Sequence, residues 1–584
     1  MDKNIVILFL VLGFALLLLS SNATQKNKNV LADAKWAGRR EKIAAWRKAI
    51  AQSKNCKPGN TSLFLGNIPK NPKLTELEIL LTGKSSTIPF ANMQGSALIF
   101  GSPDVGKSAT FNNRWIKHIL KHQLGPLIVF DPKGDLIAAN APYAEACGYK
   151  SYFIAPNQPY SDSLNLFSLF EDRENMLATV TQQAAITAIR NTKSEDAGKS
   201  DGFFGPSGEA LVRSVLMMAY YSPYKDLVMV KELLCAEDLG ARVKELERQG
   251  ELPWQVANSF RQFISGKSSD KTLGGIQATA SLVFDTFVRE EFFNTFIRNT
   301  TVPLDLTGKQ VIFIQPMRGF EDVCMPVLSA YMELLIERNF ANPRDNPLFV
   351  SLDEGHLSYL PSLMKWLAYL RSAGLVMMFL TQALSQLRQK YGQNNLDTIL
   401  TSARTKIFMN PDDMATSEFV SNKVGSADKI YKVKSHSQGK GGNSTSFQRQ
   451  AVRLISQQKV NSMKQGEFVY WNNANANKEE DGLPAKVKYK IPQSDLDLDE
   501  NCTKFWHDRM KLRLIRERQP DLYTPEKMAK FFNERAKAID VLFPLPDEEE
   551  SNKDSVFKKE MSTAGILRYD LDTILPHPQS AICP

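Results

Sequence analysis

Short, mostly apolar runs recur along this chain of 584 residues and predict its architecture. Both faces of a parallel sheet are covered, so its strands are apolar along their whole length instead of alternating with polar residues. We therefore predict a buried sheet in an α/β domain. Its strands are predicted at residues 97–100, 126–130, 152–155, 311–314, 348–352, 375–380 and 405–409, with a last edge-type strand at 466–471.

The pattern changes between about residues 171 and 298. The strand-like runs stop there, and apolar residues recur at helical spacing, as at 208–218 and 272–296. A stretch of this length is enough for a domain of its own. We predict an all-α domain inserted between two strands of the sheet.

A longer apolar run, residues 5–19, lies close to the N-terminus and contains no charged residue. It is somewhat shorter than the roughly 20 residues that span a bilayer, and its length also suits the apolar region of a signal peptide. The basic residues lie on its C-terminal side, with ten between residues 26 and 58 against two acidic ones. By the positive-inside rule we predict a single uncleaved transmembrane helix that keeps the body of the protein in the cytoplasm.

The location of the charge also limits the functions that composition can indicate. The formal net charge is +9, and the segment from 26 to 58 alone contributes +8. The rest of the chain is therefore close to neutral, and bulk charge does not predict nucleic-acid binding by the body. The six cysteines form no C-x-x-C pair, which is typical of a reducing compartment and not of a disulfide framework.

One motif carries specific chemistry: the segment from Gly101 to Ser108 fits the phosphate-loop pattern G-x-x-x-x-G-K-[ST]. It lies between a predicted strand and a predicted helix, the context in which backbone N–H groups and the helix N-terminus face an anion. Lys107 is expected to contact the β- and γ-phosphates of ATP, and the Ser108 hydroxyl to bind Mg²⁺. The predicted nucleotide-binding residues are Gly101, Ser102, Pro103, Asp104, Val105, Gly106, Lys107, Ser108 and Ala109.

The remaining catalytic groups are predicted at the ends of later strands. Asp353 and Glu354 follow the strand at 348–352, where Asp353 would hold Mg²⁺ and Glu354 would orient and deprotonate the attacking water. Gln382, after the next strand, is placed to sense the γ-phosphate. Arg371 could act as an arginine finger in a neighbouring subunit, or could stabilise a helix C-terminus. Arg404 is the rival candidate for the finger.

These patterns divide the chain into five parts. Beyond about residue 478 the core pattern stops, and charged helices and acidic runs predict an appendage with solvated faces. Residues 435–446 are rich in Gly and Ser and predict a flexible loop. The predicted parts are an anchor (1–24), a basic juxtamembrane segment and connector (25–95), a discontinuous nucleotide-binding domain (96–170 and 299–477), an inserted all-α domain (171–298) and a charged tail (478–584).

Taken together, the motifs resemble those of the type IV secretion coupling proteins of the TraG/TraD type, over about three-quarters of the chain. The order and spacing of the phosphate loop, Asp353-Glu354, Arg371 and Gln382 are similar to the family's. Other matching segments are Ala34-Lys35-Trp36-Ala37, Asp131-Pro132-Lys133-Gly134-Asp135, Leu164-Asn165-Leu166, Gln386-Leu387 and Tyr391-Gly392.

The resemblance implies a RecA-like P-loop NTPase domain with the inserted all-α domain, anchored by one N-terminal transmembrane helix in the bacterial inner membrane. It implies a homohexamer with ATP and Mg²⁺ bound between subunits. Hydrolysis would drive single-stranded DNA, with its attached relaxase, or protein substrates towards the components of a type IV secretion channel, as in conjugation. DNA contact would be local and salt-sensitive.

Three departures from the family pattern keep alternatives open. Asp104-Val105 precede Gly106 where the family usually has small residues, and a carboxylate there would oppose the phosphates. Gly355-His356 follow the Asp-Glu pair in place of Phe-Pro, and one membrane helix is found where the family often has two. The alternatives are a membrane-bound, nucleotide-gated receptor or adaptor with little turnover, and a DNA-pumping ATPase without a secretion partner. The cargo and the direction of its movement are not encoded in these motifs.

Overall fold

A computed structural model describes residues 32–192, 204–264, 270–435, 444–477, 480 and 482–546. The predicted membrane anchor at 5–19 lies outside these residues. Within the described ranges, the helices are all too short or too polar to cross a bilayer.

The strands of the described residues form one large sheet and two small ones. They are β1 (Leu63–Leu65), β2 (Ile88–Phe90), β3 (Ala97–Phe100), β4 (Leu127–Phe130), β5 (Lys150–Ile154), β6 (Gln310–Ile314), β7 (Leu348–Leu352), β8 (Leu375–Thr381), β9 (Thr405–Phe408), β10 (Ser426–Ser435), β11 (Ser444–Arg453), β12 (Glu467–Trp471) and β13 (Pro484–Lys488). The large sheet has nine strands in the order β13-β12-β9-β3-β8-β7-β4-β6-β5. β3 to β9 run parallel, and β12 and β13 extend the sheet as antiparallel strands.

Helices cover the sheet on both faces. In chain order they are α1 (Arg39–Lys54), α2 (Pro72–Thr82), α3 (Asn113–His122), α4 (Asp135–Ala146), α5 (Leu177–Asn191), α6 (Phe204–Tyr221), α7 (Leu227–Cys235), α8 (Leu239–Gln249), α9 (Trp254–Ile264), α10 (Asp270–Phe287), α11 (Glu290–Phe296), α12 (Glu321–Arg338), α13 (Leu363–Tyr369), α14 (Leu384–Tyr391), α15 (Gln393–Ser402), α16 (Met414–Val424), α17 (Gln457–Asn461), α18 (Gln493–Phe505), α19 (Lys511–Arg518) and α20 (Pro525–Leu542). The helices α5 to α11 lie between β5 and β6 in the chain and form the helical insert. The insert joins the sheet domain through α5 and α12, where Gln183 donates a hydrogen bond to Glu333.

The two faces of the sheet carry separate cores because side chains alternate along each strand. Leu98 and Phe100 of β3 belong to the core shared with the helical insert. Ala97 and Ile99 face the opposite core, which includes Trp115 of α3. Both faces are covered, and this is why the parallel strands are mostly apolar, with few polar residues such as Ser351 of β7 and Lys406 of β9.

The register of the parallel strands decides which loops meet. Phe100 is paired with Thr381 on one side and with Phe408 on the other. Leu352 is paired with Phe379 and with Phe130. The segments that follow β3, β4, β7, β8 and β9 therefore emerge together at one edge, which we call the carboxyl edge of the sheet.

The segment before the phosphate loop, predicted as a connector, has a small core of its own. Trp46 of α1 is fully buried against Phe64 of β1, with ring centroids 6.2 Å apart. Its indole Nε1 donates to the Pro72 carbonyl oxygen at 3.1 Å. The hydrophobic pattern does not predict this layer because β1 and β2 are only three residues long.

The sheet continues past the predicted boundary at residue 477. β13 pairs with β12, and its buried Ala485 alternates with the lysines at 486 and 488. Such alternation is typical of an edge strand with one solvated face, and lysines are common on exposed edges. This strand therefore contains no continuous apolar run that would predict it.

The predicted C-terminal appendage is, over residues 482–546, part of the folded body. Its acidic run is solvated at Asp497 and Glu500, as expected, but not at Asp499. Trp506 follows α18 and packs against Phe153 of β5 at 5.4 Å between ring centroids. Asp499 of α18 is paired with Arg114 and Lys117 of α3. Local pattern could not predict the pairing of Asp499, because its partners lie almost 400 positions earlier in the chain.

Candidate active site

The phosphate loop connects β3 to a helix that opens with a π-helical turn (Ser108–Asn112) and continues as α3. Two of its glycines are required by close approach or backbone conformation. A Cβ atom on Gly101 would lie 3.0 Å from the Cβ of Met409, and Gly106 has a φ of +85°. The Ser102 amide donates to the Asn410 carbonyl oxygen at 2.7 Å, which ties the loop to the end of β9.

Lys107 is folded onto the loop that carries it. Its Nζ atom donates to the carbonyl oxygens of Gly101 at 2.5 Å and of Ser102 at 3.0 Å. Burial lowers the pKa of the ammonium group, while the nearby carboxylates of Glu354 and Asp353 raise it. The cation therefore lies inside the cradle, where the phosphates of a nucleotide would replace the two carbonyl contacts.

Ser108 and Asp353, predicted as the Mg²⁺ ligands, are in direct contact. The Ser108 hydroxyl is 3.0 Å and 3.1 Å from the two carboxylate oxygens of Asp353. Asn112 lies between the two elements, because its Nδ2 donates to Asp353 at 3.3 Å and its Oδ1 accepts from Ser351 at 2.9 Å. Burial, and then the charge of Glu354, raise the pKa of Asp353 to about 6.

These two residues fit a magnesium site. A hydroxyl and a carboxylate are oxygen ligands of the kind that Mg²⁺ prefers, and Mg²⁺ is usually held by one or two protein ligands together with phosphates and water. A cation would also favour the ionised form of the buried Asp353 carboxyl. Within the described residues there is no cluster of three or more His, Cys, Asp or Glu side chains that could hold a metal ion by itself.

Glu354 lies next to Asp353 and is buried in a left-handed backbone conformation with a φ of +47°. The Gln382 Nε2 atom donates to its Oε2 at 3.3 Å. Lys133 approaches the other carboxylate oxygen at 4.0 Å. The structure thus brings together the predicted base, the predicted γ-phosphate sensor and a basic residue from the loop after β4.

His356 is a neighbour of this group that the motif search did not assign. Its Nδ1 atom is 3.6 Å from the Glu354 carboxylate and 3.3 Å from the Thr381 hydroxyl. Burial lowers the pKa of the imidazole, which favours its neutral form at neutral pH. The departure from the family pattern at Gly355-His356 was the only sequence signal that could have pointed to it.

The Asp131 carboxylate has a structural role in the loop after β4. It accepts from the backbone amides of Gly134 at 3.0 Å and Ile137 at 2.8 Å, and so caps the start of α4. Burial raises its pKa to about 7. Fixing this turn holds Lys133 at the carboxyl edge, near Glu354.

The two arginine candidates lie at the opposite edge of the sheet. Arg371 is exposed in the turn before β8 begins, whereas Gln382 follows the end of the same strand. Arg404 precedes β9, and its side chain packs against Gly95. Neither arginine can therefore reach the phosphate loop of its own chain.

Asp104, which departs from the family pattern, is exposed at the loop surface. Its φ of +60° lies in the left-handed region that glycine adopts without cost. Asp is one of the few other residues that tolerate this region. The position therefore carries a negative charge on a backbone shape that suits a small residue.

Comparisons with known proteins agree with this picture. Residues 347–465 match the family described as the TraM recognition site of TraD and TraG. This segment contains Asp353, Glu354 and Gln382, and the match confirms the resemblance that the motifs indicated. No match was found among curated proteins.

Several solved structures share the fold. The unbound bacterial conjugative coupling protein TrwBdeltaN70 superposes with a TM-score of 0.52 at 17% identity, covering 70% of this chain and 87% of that one. TrwB in complex with the ATP analogue ADPNP gives 0.52 at 17% identity, covering 69% and 86%. TrwB with ADP and Mg²⁺ gives 0.51 at 16% identity, covering 69% and 87%. At this level of identity the likeness shows the α/β fold with its helical insert.

Proposed function

We propose that this chain is a membrane-anchored P-loop ATPase of the type IV coupling protein family. It would use ATP hydrolysis to recruit single-stranded DNA with its relaxase, or protein substrates, and to pass them into a type IV secretion channel, as in conjugation. The observation that carries this proposal is the contact between Ser108 and Asp353, with Glu354 and Gln382 beside it. This contact joins the phosphate loop after β3 to the acidic pair after β7, the two parts that an ATPase site would need, at one edge of the sheet.

Nucleotide binding follows from the loop geometry. Lys107 would exchange the two carbonyl oxygens that it contacts for the β- and γ-phosphate oxygens of ATP. Ser108 and Asp353 would hold Mg²⁺, which neutralises phosphate charge when bound. TrwB has been solved with an ATP analogue and with ADP and Mg²⁺, which supports this assignment of cofactors.

Glu354 is the proposed general base. Its carboxylate would accept a proton from the attacking water, and the Gln382 side chain, now 3.3 Å from it, would orient that water or the γ-phosphate. Because Arg371 lies at the far edge of its own sheet, it would act as an arginine finger only in the site of a neighbouring subunit. The proposed assembly is therefore a homohexamer with sites between subunits.

Partners and location are proposed from the family resemblance. The segment at 347–465 matches the TraM recognition site of TraD and TraG, which supports a partner from a DNA-transfer complex. The apolar run at 5–19 and the basic segment after it support single-pass anchoring in the inner membrane with a cytoplasmic body.

The test is ATP hydrolysis by the full chain in lipid nanodiscs, with and without single-stranded DNA. We expect turnover that DNA stimulates and that Lys107→Ala abolishes. Glu354→Gln should keep ATP affinity while lowering turnover by about 10²-fold or more, because it removes only the base. Tight ATP binding without turnover, in oligomers of the parent chain, would contradict the proposal that ATP hydrolysis drives transfer.

A second candidate is a nucleotide-gated receptor with little turnover. Asp104 favours it, because a carboxylate in the phosphate loop opposes the charge of the nucleotide. The same hydrolysis measurement separates the two candidates.

A further inference from the structure

The strands β10 and β11 form an antiparallel hairpin that is separate from the nine-stranded sheet. Ten residue pairs join the arms, from Ser426 with Arg453 at the base to Ser435 with Ser444 near the tip. A ten-residue strand spans about 33 Å, so the hairpin is long enough to contact a surface away from the body.

The arms expose apolar side chains that a soluble surface seldom groups together. Phe447 is 68% exposed, Ile430 57% and Tyr431 39%. Ile430 pairs with Arg449, and Phe447 lies two residues before Arg449 on β11. Ile430 and Phe447 are therefore diagonal neighbours on one face of the hairpin.

The hairpin is also strongly basic. Its arms carry five cationic residues, Lys429, Lys432, Lys434, Arg449 and Arg453, against one acidic residue. That acidic residue, Asp428, is engaged at the base, where it accepts from the Ala32 amide at 3.0 Å. The arms therefore combine positive charge with exposed aromatic and aliphatic groups.

The base of the hairpin is joined to the N-terminal end of the described chain. The Ala34 amide donates to the Ser426 carbonyl oxygen at 3.0 Å, and the Asp428 amide donates to Ala32 at the same distance. Only the 12 residues from 20 to 31 separate this contact from the end of the predicted anchor. Even fully extended, they span at most about 40 Å.

The base lies at the edge of the sheet opposite the phosphate loop. Lys423, near the end of α16, lies over the ring of Trp471 at 5.7 Å. Trp471 pairs with Lys406 at the beginning of β9, which is the edge away from the nucleotide site. A bilayer that held the anchor would thus face this edge and not the site.

We propose that the β10–β11 hairpin binds the anionic surface of the bilayer that holds the anchor. Lys429 and Arg453 would contact lipid phosphates, and Ile430 and Phe447 would enter the interfacial layer. This inference rests on the proposed anchoring, and it adds a second contact that fixes the orientation of the body on the membrane.

Single-stranded nucleic acid also suits basic residues with aromatic neighbours. Two observations favour the bilayer. A nucleic-acid base would stack poorly on an aliphatic side chain such as that of Ile430, whereas the interfacial layer of a bilayer would stabilise it. The short connection to the predicted anchor also limits how far the base of the hairpin can lie from the membrane.

The experiment places p-benzoylphenylalanine at position 447 of the full chain, in nanodiscs of phosphatidylcholine with phosphatidylglycerol, and identifies the photo-adducts by mass spectrometry. The matched control is the same residue in place of Met414, which is 80% exposed at the other end of α16. A single-stranded oligonucleotide is present in a parallel sample. Retention of the chain in carbonate-washed membranes measures the anchor independently.

We expect lipid adducts at position 447 and not at position 414, with a higher yield when phosphatidylglycerol is present. Lys429→Gln and Arg453→Gln should lower that yield by about fivefold each. The hairpin contact would be overturned if a chain that resists the wash gave no adducts, or gave adducts only to the oligonucleotide or to a neighbouring subunit. The proposed function would then remain intact. A chain that washes off the membrane would overturn both the anchoring and the hairpin contact.

Discussion

The Ser108 hydroxyl is within hydrogen-bond distance of both carboxylate oxygens of Asp353, at 3.0 Å and 3.1 Å. The two residues are separated by 245 positions in the chain and meet because β3 and β7 end at the same edge of the sheet, on either side of β8. This contact links the phosphate loop to the strand that carries the proposed base. It also provides the most direct test of the site.

If Ser108 and Asp353 bind one metal ion together, the losses of turnover caused by their substitutions should not be additive. We expect Ser108→Ala and Asp353→Asn each to lower turnover by about 10²-fold or more, and the double variant to be little worse than the stronger single. The measurement is the ATP hydrolysis rate at saturating nucleotide, with circular dichroism as a check of folding. Additive losses would mean that the two residues act independently.

Arg371 is expected to act in a neighbouring subunit, because it is exposed and lies far from its own phosphate loop. Arg371→Ala should lower turnover by about 10³-fold, the scale of an arginine finger. Mixing Arg371→Ala subunits with Lys107→Ala subunits should restore part of the activity. The Lys107→Ala subunit would supply its Arg371 to the intact phosphate loop of an Arg371→Ala neighbour.

The comparison variant is Arg404→Ala, which removes the rival candidate for the finger, whose side chain packs against Gly95 of its own chain. It should change turnover much less than Arg371→Ala. Mixed oligomers that stay inactive would rule out a contribution between subunits.

Asp104 is expected to weaken nucleotide binding only modestly, because its side chain is exposed and screened by water. Asp104→Asn keeps a residue that tolerates the left-handed backbone and removes the charge. It should lower the Kd for ATP by up to about fivefold. Asp104→Gly should add a gain in stability from the relaxed backbone.

Titration calorimetry and hydrolysis rates on both variants separate charge from backbone effects. A rise in turnover far beyond tenfold in both would identify the parent chain as a receptor that is held inactive by this carboxylate.

Asp499 holds α18 against the helix that follows the phosphate loop. Arg114 and Lys117 are both buried in this contact, so Asp499→Asn leaves two cations with a weaker partner. Breaking a buried pair in this way should lower the free energy of unfolding by about 3 kcal/mol. Asp497→Asn, an exposed site on the same helix, is the control and should have little effect. Equal unfolding midpoints in denaturant for the two variants would show that the contact does not stabilise the fold.

Glu333 should make stability depend on pH. Burial raises its pKa to about 7, above the ordinary value of 4.5. As pH rises between these values, the unfolded state loses its proton while the folded state keeps it, so the free energy of unfolding falls. The slope is at most about 1.4 kcal/mol per pH unit.

Glu333→Gln keeps the acceptor for Ser362 and Gln183 but cannot ionise. Thermal unfolding of both proteins from pH 4.5 to 7 should show a fall in the parent that the variant lacks. Parallel curves would mean that Glu333 ionises normally in the folded state.

The sequence by itself determined the features that depend on neighbouring residues. The apolar runs predicted β3, β4, β7, β8 and β9, because burial on both faces leaves few polar positions in such strands. The phosphate loop was identified because its glycines, lysine and serine must follow one another in a turn. Asp353 and Glu354 were assigned because this acidic pair directly follows a buried strand downstream of the phosphate loop.

The tertiary structure alone decided the relationships across distant parts of the chain. It placed Arg371 at the edge away from its own site, joined Asp499 to Arg114, and attached the N-terminal segment to the base of the β10–β11 hairpin. Each depends on strand order or on a contact between segments hundreds of residues apart. Local hydrophobic spacing carries no information about such contacts, because it records which faces are buried but not what buries them.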